Sequence, residues 1–201
     1  MAVLATSVCG FYWYAQRDIP DLQTMNEALK QRSSGQGGYT RLAEIPQQFI
    51  CAFMSDPFNA NGLEYLLAGR MLEATKSPMR QIDWHVKRAI VSWRIGKAMV
   101  RSDILETLLN GQYFGRGGYG VAAGAKTHFG VDATQLSLAQ TAYLVGLTRS
   151  PATYDAHPEQ GRKRRDYILD RMQASGCASE AEIAKAKQEA LLVLPLSDDA
   201  H

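Results

Sequence analysis

The spacing of apolar residues along this chain is helical almost throughout. Pro46 opens a segment that Asp56-Pro57 ends, and its apolar residues recur at helical intervals: Phe49, Ile50, Phe53 and Met54. The same spacing predicts further helices at 21–31, 62–74, 80–101, 103–109, 136–147, 159–175 and 179–190. For the helix at 103–109 we expect Ser102 as the N-cap and Asn110-Gly111 as the end. Because no alternating pattern reaches a convincing strand length, the sequence predicts an all-α fold.

Changes in composition divide the chain into four parts. Residues 1–16 form an uncharged, apolar N-terminal segment that ends in aromatic residues. As a helix it would cover about 24 Å, short of a hydrocarbon core of about 30 Å, so we interpret it as part of a membrane anchor. A buried helix and an N-terminally incomplete chain are the alternatives. Residues 17–45 hold a lead-in helix and a Gly/Ser loop, 46–195 the main helical domain, and 196–201 a tail.

Composition excludes several classes of protein. The chain has 201 residues, of which 46% are hydrophobic, so it has material for a packed core and is neither disordered nor fibrous. Its formal net charge of +2 argues against binding nucleic acid by bulk charge, and we predict no nucleic-acid partner. The basic run Arg162-Lys163-Arg164-Arg165 is interpreted as a solvated helix face. The 3 cysteines, Cys9, Cys51 and Cys177, predict neither a disulfide framework nor a metal site.

The stretch Gly115–Gly120 matches the GxGxxG fingerprint of dinucleotide-binding folds. That fingerprint requires a strand before it and a helix N-terminus after it, within a parallel sheet. A predicted helix precedes it, so we expect these glycines to allow tight turns and close packing instead.

Four stretches carry a specific family pattern. They are ILETLLN (104–110), GQYFGRGGYGVAAGAKTHFG (111–130), LSLAQTAYLVGLTRSPATYDAHP (136–158) and RRDYILDRM (164–172). In order and spacing they resemble glycosyltransferase family 51, the peptidoglycan transglycosylases of penicillin-binding proteins. The resemblance implies a lysozyme-like α-helical fold at the outer face of the cytoplasmic membrane. The family's GGSTITQQ element has no counterpart, so we expect a domain shortened between the first and third motifs. Residues 1–16 would then be an anchor or a remnant of the membrane-facing jaw.

The catalytic motifs depart from the family pattern. Family members polymerise lipid II with a glutamate base in EDxxFxxHxG and a second glutamate in RKxxE. Ser55 stands at the first position and Arg88 at the second, so the resemblance leaves no catalytic residue intact. Asp56 is the only carboxylate between Glu44 and Glu64, which makes it the candidate substitute base.

Cationic residues remain on the helix predicted at 80–101. On a helical wheel four of them fall within about 80° and form a candidate substrate-binding stripe for a phosphate group: Lys87, Arg94, Lys97 and Arg101. His85, near the family's lysine, is interpreted as an ordinary core or surface histidine. No cofactor is predicted, although a divalent cation would fit an active enzyme.

Several functions stay open. The first is a catalytically silent domain that binds lipid II, a glycan strand or a cell-wall synthesis protein, in contact with the membrane. The second is an active but atypical glycosyltransferase. A glycan hydrolase and a helical interaction module are further alternatives. We expect Glu64 and Glu73 to be exposed helix positions, and a carboxylate from either in the groove would favour the active enzyme.

Overall fold

The structure is a computed structural model that describes Gln16 and residues 18–34, 38–75 and 81–195. Within these ranges the chain is helical, apart from loops and one isolated antiparallel bridge between Tyr113 and Tyr119. The predicted all-α fold is therefore confirmed. None of the helices in the described ranges is long and apolar enough to cross a membrane. The predicted anchor at 1–16 lies, apart from Gln16, outside the described residues.

The helices follow one another with short connections. They are α1 (Leu22–Ser33), α2 (Gln47–Ser55), α3 (Pro57–Ala60), α4 (Leu63–Ala74), α5 (Gln81–Ala98), α6 (Arg101–Gly111), α7 (Val121–Phe129), α8 (Leu138–Leu147), α9 (Pro151–Ala156), α10 (Pro158–Ala174) and α11 (Glu180–Gln188). Single 3-10 turns occur at Leu42–Glu44 and Ala133–Gln135.

Two helices organise the core. α8 is buried almost completely and packs against α10, α2 and α11, while α4 packs against α5, α6 and α1. A capping box starts α8: the Ser137 hydroxyl accepts from the Gln140 amide at 3.1 Å, and the Gln140 side chain accepts from the Ser137 amide at 2.9 Å. One apolar core runs through both groups of helices.

The boundary between α5 and α6 differs from the prediction. α5 ends at Ala98, and α6 begins at Arg101 after Val100 in an extended conformation, so Ser102 lies inside α6 and is not its N-cap. The amides of Asp103 and Ile104 donate to the Val100 carbonyl and start the new helix. Arg101 therefore belongs to a different helix from Lys87, Arg94 and Lys97. The prediction that these four residues form a stripe along one helix is wrong.

The expectation that the cysteines form no disulfide is also wrong. Cys51, on α2, is bonded to Cys177, just after α10, with 5.8 Å between their Cα atoms. The two residues lie 126 positions apart, so only the packing of α2 against α10 brings them together.

The basic run on α10 is only partly a solvated face. Arg162 and Lys163 are exposed as expected. Arg165 is buried, where it pairs with Asp166 and donates to the carbonyls of Lys187 and Glu189. Arg164 also turns inward, because it forms an ion pair with Asp56. Because α10 packs against α8, α2 and α11, little of this helix is free to form a continuous basic face.

Two side chains of α6 hold the segment before α2. The Glu106 carboxylate accepts from the Tyr39 hydroxyl at 2.9 Å and from the Leu42 amide at 2.7 Å. The Asn110 side chain pairs with both backbone groups of Thr40, each at 2.8 Å. The glutamate and asparagine of ILETLLN thus satisfy polar backbone groups at Thr40 and at the start of the 3-10 turn Leu42–Glu44.

The glycine-rich stretch behaves as expected for tight turns. Gly115, Gly117 and Gly120 have positive φ, and a Cβ on Gly124 would lie 2.9 Å from the Phe114 ring. The second half of the stretch forms α7, which the sequence analysis did not predict.

Candidate functional site

A polar cleft opens where α3, α4 and α5 meet the ends of α6 and α8. Its volume is about 180 Å³. Its lining includes Phe58 and Asn59 from α3 and Arg88 from α5, and the loops after α6 and α8 add Gln112, Thr148 and Arg149. α4 contributes Leu66, Gly69, Arg70 and Glu73. Three arginines and one glutamate give this lining a net positive charge.

Arg88 lies flat in a cradle made by α4. Its guanidinium carbon is 3.8 Å from the centre of the Tyr65 ring, and its Nε donates to the Tyr65 carbonyl at 2.7 Å. A Cβ on Gly69 would come within 3.0 Å of the guanidinium, so only glycine leaves this space open. Burial lowers the pKa of Arg88 below its usual range. Among the described residues, no carboxylate lies within salt-bridge distance of this arginine.

Glu73 supplies the carboxylate in the cleft. Its Oε2 is 3.0 Å from Nη1 of Arg70, one turn earlier on α4, and its side chain is 40% exposed. Its carbonyl accepts from Arg32 of α1 at 2.8 Å, which fixes the end of α4. Glu73 is therefore not the freely exposed helix position that the sequence predicted. Glu64 is half-buried and packs beside Gly96, outside the cleft lining.

The third arginine lies at the mouth of the cleft. Arg149 is exposed and sits 5.2 Å from the centre of the Phe58 ring. The neighbouring polar side chains are fixed by backbone contacts: Asn59 donates to the Phe53 carbonyl at 3.2 Å, and Gln112 donates to the carbonyls of Tyr113 and Thr148. These bonds leave the cleft with a preformed wall.

Ser55 and Asp56 are turned away from this cleft. The Ser55 hydroxyl donates to the Ala52 carbonyl at 2.7 Å within its own helix. The Asp56 carboxylate caps α3 by accepting from the Phe58 amide at 3.1 Å and forms a buried ion pair with Arg164. With both oxygens engaged, Asp56 is poorly placed to accept a proton from a sugar.

The predicted cationic stripe lies apart from the cleft lining. Lys87 is buried, Arg94 donates to Gln16 at 3.0 Å, and Lys97 and Arg101 are exposed. His85 is exposed on the surface, with Nδ1 3.4 Å from the Tyr65 hydroxyl. The described residues contain no group of three His, Cys, Asp or Glu side chains that could hold a metal ion.

The sequence profile of the transglycosylases matches residues 65–173, more than half of the chain. The chain belongs to this family, glycosyltransferase family 51. The matched segment includes every residue that lines the cleft except Phe58 and Asn59.

Individual transglycosylase relatives agree with the profile. A candidate transglycosylase of Cupriavidus necator is 41% identical over 104 residues, which make up 51% of this chain and 45% of that protein. Penicillin-binding protein 1A of Aquifex aeolicus is 34% identical over 116 residues, 57% of this chain and 16% of the relative. The chain thus spans less than half of the length of each.

A solved structure supports the same fold. Penicillin-binding protein 1A from Haemophilus influenzae matches with a TM-score of 0.55 and 24% sequence identity, over 80% of this chain and 18% of that protein. The helical arrangement of the transglycosylase domain is therefore present in this chain.

The sequence analysis found part of this cleft. The family motif indicated Arg88, and Glu73 was considered as a recruited carboxylate. Arg70, Gln112 and Arg149 were not singled out. Gln112 and Arg149 follow the ends of α6 and α8 and lie within the stretches that resemble the family. The family pattern therefore covered these positions but did not identify their side chains as part of a site.

Proposed function

We propose that this chain is a transglycosylase-family domain that binds a lipid-linked peptidoglycan precursor, or a glycan strand made from it, and has lost most or all of the polymerising activity. It would act at the outer face of the cytoplasmic membrane, with residues 46–195 as the binding domain. Cell-wall synthesis proteins are its expected partners.

The side chains at the two family glutamate positions support this function best. Polymerisation needs a base that removes a proton from a sugar hydroxyl, and a positioned carboxylate contributes about 10²–10⁴-fold. Ser55 offers a hydroxyl already bonded to its own helix, and Arg88 offers a cation. The nearest carboxylate to the first position, Asp56, is held by Arg164. A cleft with three arginines favours binding of an anionic group, and the carboxylate in its lining, Glu73, is ion-paired with Arg70 at 3.0 Å.

The disulfide supports the proposed compartment. Disulfides form and persist outside the reducing cytoplasm, and Cys51–Cys177 ties α2 to the end of α10. This agrees with a location where lipid-linked peptidoglycan precursors are polymerised.

Lipid II provides the test. The purified chain, with divalent metal present, should retain labelled lipid II on vesicles but form no glycan chains, while a penicillin-binding protein 1A assayed in parallel forms them. Glycan chains of several units would refute the loss of activity. Failure to retain lipid II or glycan strands would refute the binding function.

The position of Glu73 favours a second candidate function, an active but atypical glycosyltransferase. It is the carboxylate of the cleft lining, beside Arg70, whose positive charge could stabilise a leaving phosphate. In that case Glu73→Gln should abolish glycan formation, and Glu64→Gln, the matched change outside the cleft, should not. If the parent chain forms no glycan and neither variant differs from it, Glu73 does not act as a base.

A further inference from the structure

Residues 191–195, which we call the strap, follow α11 without regular secondary structure and reach the end of α7. Two hydrogen bonds hold the backbone of Leu194 there. Its amide donates to the His128 carbonyl at 2.8 Å, and its carbonyl accepts from Nη1 of Arg116 at 2.6 Å. The side chains of Leu192 and Leu194 are exposed, so apolar burial contributes little at this point. The end of the strap is therefore held mainly by these two bonds.

Arg116 links the strap to α9. Its side chain is 11% exposed and pairs with Asp155 through two bonds: Nη2 donates to Oδ1 at 2.9 Å, and Nε donates to Oδ2 at 3.2 Å. The backbone of Arg116 has a φ of 53°, in the left-handed region that residues other than glycine rarely adopt. Strain of this kind persists where the surroundings fix a side chain, and here the Asp155 carboxylate fixes the guanidinium that binds the strap.

His128 faces the same carboxylate and is fully buried. Its Nε2 lies 2.8 Å from the Phe114 carbonyl, which can only accept, so the neutral ring carries its proton on Nε2 and none on Nδ1. Nδ1 has no hydrogen-bond partner in the described part of the chain and lies 3.9 Å from Oδ1 of Asp155. Two acceptor atoms thus face each other, and a proton on Nδ1 would turn this contact into a charged hydrogen bond.

The groups around His128 determine what its protonation would do. Burial lowers the pKa of His128 below its usual 6.5, so the ring is neutral at pH 7. Arg116, from the glycine-rich loop, disfavours a positive ring, and Asp155, from α9, favours it. From α8 the neighbour is the uncharged Tyr143 phenol, with ring centres 6.2 Å apart, and the strap carries no ionisable side chain. A positive ring would therefore attract Asp155 and repel Arg116, and both effects weaken the ion pair that positions Arg116.

We propose that Arg116, Asp155 and His128 form a proton-operated clasp that holds the strap at neutral pH and releases it in mild acid. In the closed clasp, Asp155 holds Arg116, and Arg116 holds Leu194. When a proton from solvent binds Nδ1, His128 takes Oδ1 of Asp155, and Arg116 leaves both this carboxylate and the Leu194 carbonyl. The strap is then a unit of low local stability that responds to protons. This inference goes beyond the proposed function and does not depend on it.

Hydrogen exchange of the Leu194 amide, measured by NMR on the full chain, tests the clasp. Its protection factor in the wild type should fall by up to about tenfold per pH unit below pH 6.5, because opening takes up one proton. The Leu144 amide in the core of α8 should stay better protected at every pH, since the opening is local. His128→Gln keeps a donor for the Phe114 carbonyl and removes the titrating ring, so its Leu194 protection should not change over this range.

Two further variants test the ion pair. Asp155→Asn removes the charge for which both cations compete, so Leu194 should be less protected than in the wild type at pH 7 and should show no further loss in acid. Arg116→Gln should behave in the same way, because one of the two bonds to Leu194 is gone. Arg101→Gln removes an exposed arginine on α6 and should match the wild type.

The ring of His128 gives a direct check that needs no variant. Its ¹⁵N shifts should show Nδ1 without a proton at pH 7 and protonated over the pH range in which Leu194 loses protection. Constant or rising Leu194 protection between pH 7 and pH 5 would overturn the clasp, as would an equal fall in His128→Gln. If His128→Gln does not fold, a loss of protection in Asp155→Asn that is as steep in acid as in the wild type would overturn it.

Discussion

The carboxylate of Asp56 is ion-paired with the guanidinium of Arg164, a residue 108 positions further along the chain. The side chains are only 3% and 12% exposed, respectively. Two turns further along α10, Arg171 donates to the Ser55 carbonyl at 3.3 Å. Two arginines of α10 therefore hold the junction between α2 and α3, and this junction sets the position of Phe58 and Asn59 in the cleft.

Removing the Asp56 carboxylate should destabilise the fold. Asp56→Ala leaves Arg164 buried without its counter-ion, and breaking a buried pair in this way costs about 3–5 kcal/mol. We expect urea denaturation to show a loss of that order. Asp166→Ala, which removes the exposed partner of another α10 arginine, should cost less than Asp56→Ala. Equal, small losses would show that the Asp56 pair contributes little to the fold.

The disulfide should contribute strongly to stability because it closes a long loop. Cys51→Ser leaves the loop between positions 126 residues apart unconstrained, and the loss of such a bond costs about 2–5 kcal/mol. Thermal unfolding should shift to lower temperature in this variant and in the reduced wild type alike. Cys9→Ser, which removes the cysteine outside the bond, should leave the oxidised protein unchanged. A reduced wild type as stable as the oxidised one would contradict this expectation.

The helical periodicity was sufficient to predict the longer helices of the fold but not α7 or the short helices α3 and α9. The VAAGAKTHF segment of α7 is short, rich in small residues and follows Gly120 directly, so the surrounding glycines indicated turns instead of a helix. Its stability comes from tertiary packing, since Gly124 meets the Phe114 ring. The break between α5 and α6 was predicted at Ser102 but lies at Met99–Val100, because apolar residues continue through these two positions at nearly helical spacing.

The cleft was less predictable than the fold. The family motifs identified positions 55 and 88 as sites where the family has glutamate and this chain does not. This was possible because a motif position depends only on spacing along one segment. The pairing of Glu73 with Arg70, the stacking of Arg149 on Phe58 and the locking of Asp56 by Arg164 depend on how helices pack. The pairing of Cys51 with Cys177 is of the same kind. Spacing along one chain does not specify such contacts.

The backbone at Gly120 should tolerate no side chain. Its φ of 87° and ψ of 157° lie in a region almost restricted to glycine, and a Cβ would lie 3.2 Å from the Asn110 carbonyl. We expect Gly120→Ala to cost about 1–3 kcal/mol of backbone strain, plus the cost of the contact. Gly176 also has positive φ, but a Cβ there meets open space, so Gly176→Ala is the matched control. Equal losses of unfolding free energy in the two variants would show that the Asn110 contact has no effect.

Tyr39 should make stability depend on alkaline pH. Burial and the hydrogen bond to Glu106 raise the pKa of Tyr39 to about 12, from 10.0 in an unperturbed tyrosine. The folded state therefore holds this proton more tightly than the unfolded chain does. The protonated Tyr39 stabilises the fold fully below pH 10, and this contribution is lost as pH rises through about 12. Tyr39→Phe should unfold with a smaller decrease in stability over this range. Phenolate absorbance gives an independent measurement, in which Tyr39 should ionise after ordinary tyrosines.

His128 should make stability depend on acid pH in the opposite sense. Its Nε2 donates to the Phe114 carbonyl at 2.8 Å, while Nδ1 is buried without a hydrogen-bond partner among the described residues, 3.9 Å from Asp155. Burial lowers the pKa of His128 below its usual 6.5, and the nearby Arg116 lowers it further, against the Phe114 hydrogen bond and Asp155. The unfolded chain then binds the proton more readily, so stability should fall as pH decreases through 6.5.

His128→Phe removes the titrating group and keeps an aromatic ring in the core. At pH 7 it should lose about 1–3 kcal/mol, because the Phe114 carbonyl is left without a donor. Between pH 7 and pH 5, however, its stability should decrease less steeply than that of the wild type. Tyr143→Phe, a change at a neighbouring ring that does not titrate in this range, should keep the wild-type slope. Parallel slopes for wild type and His128→Phe would show that protonation of His128 does not destabilise the fold.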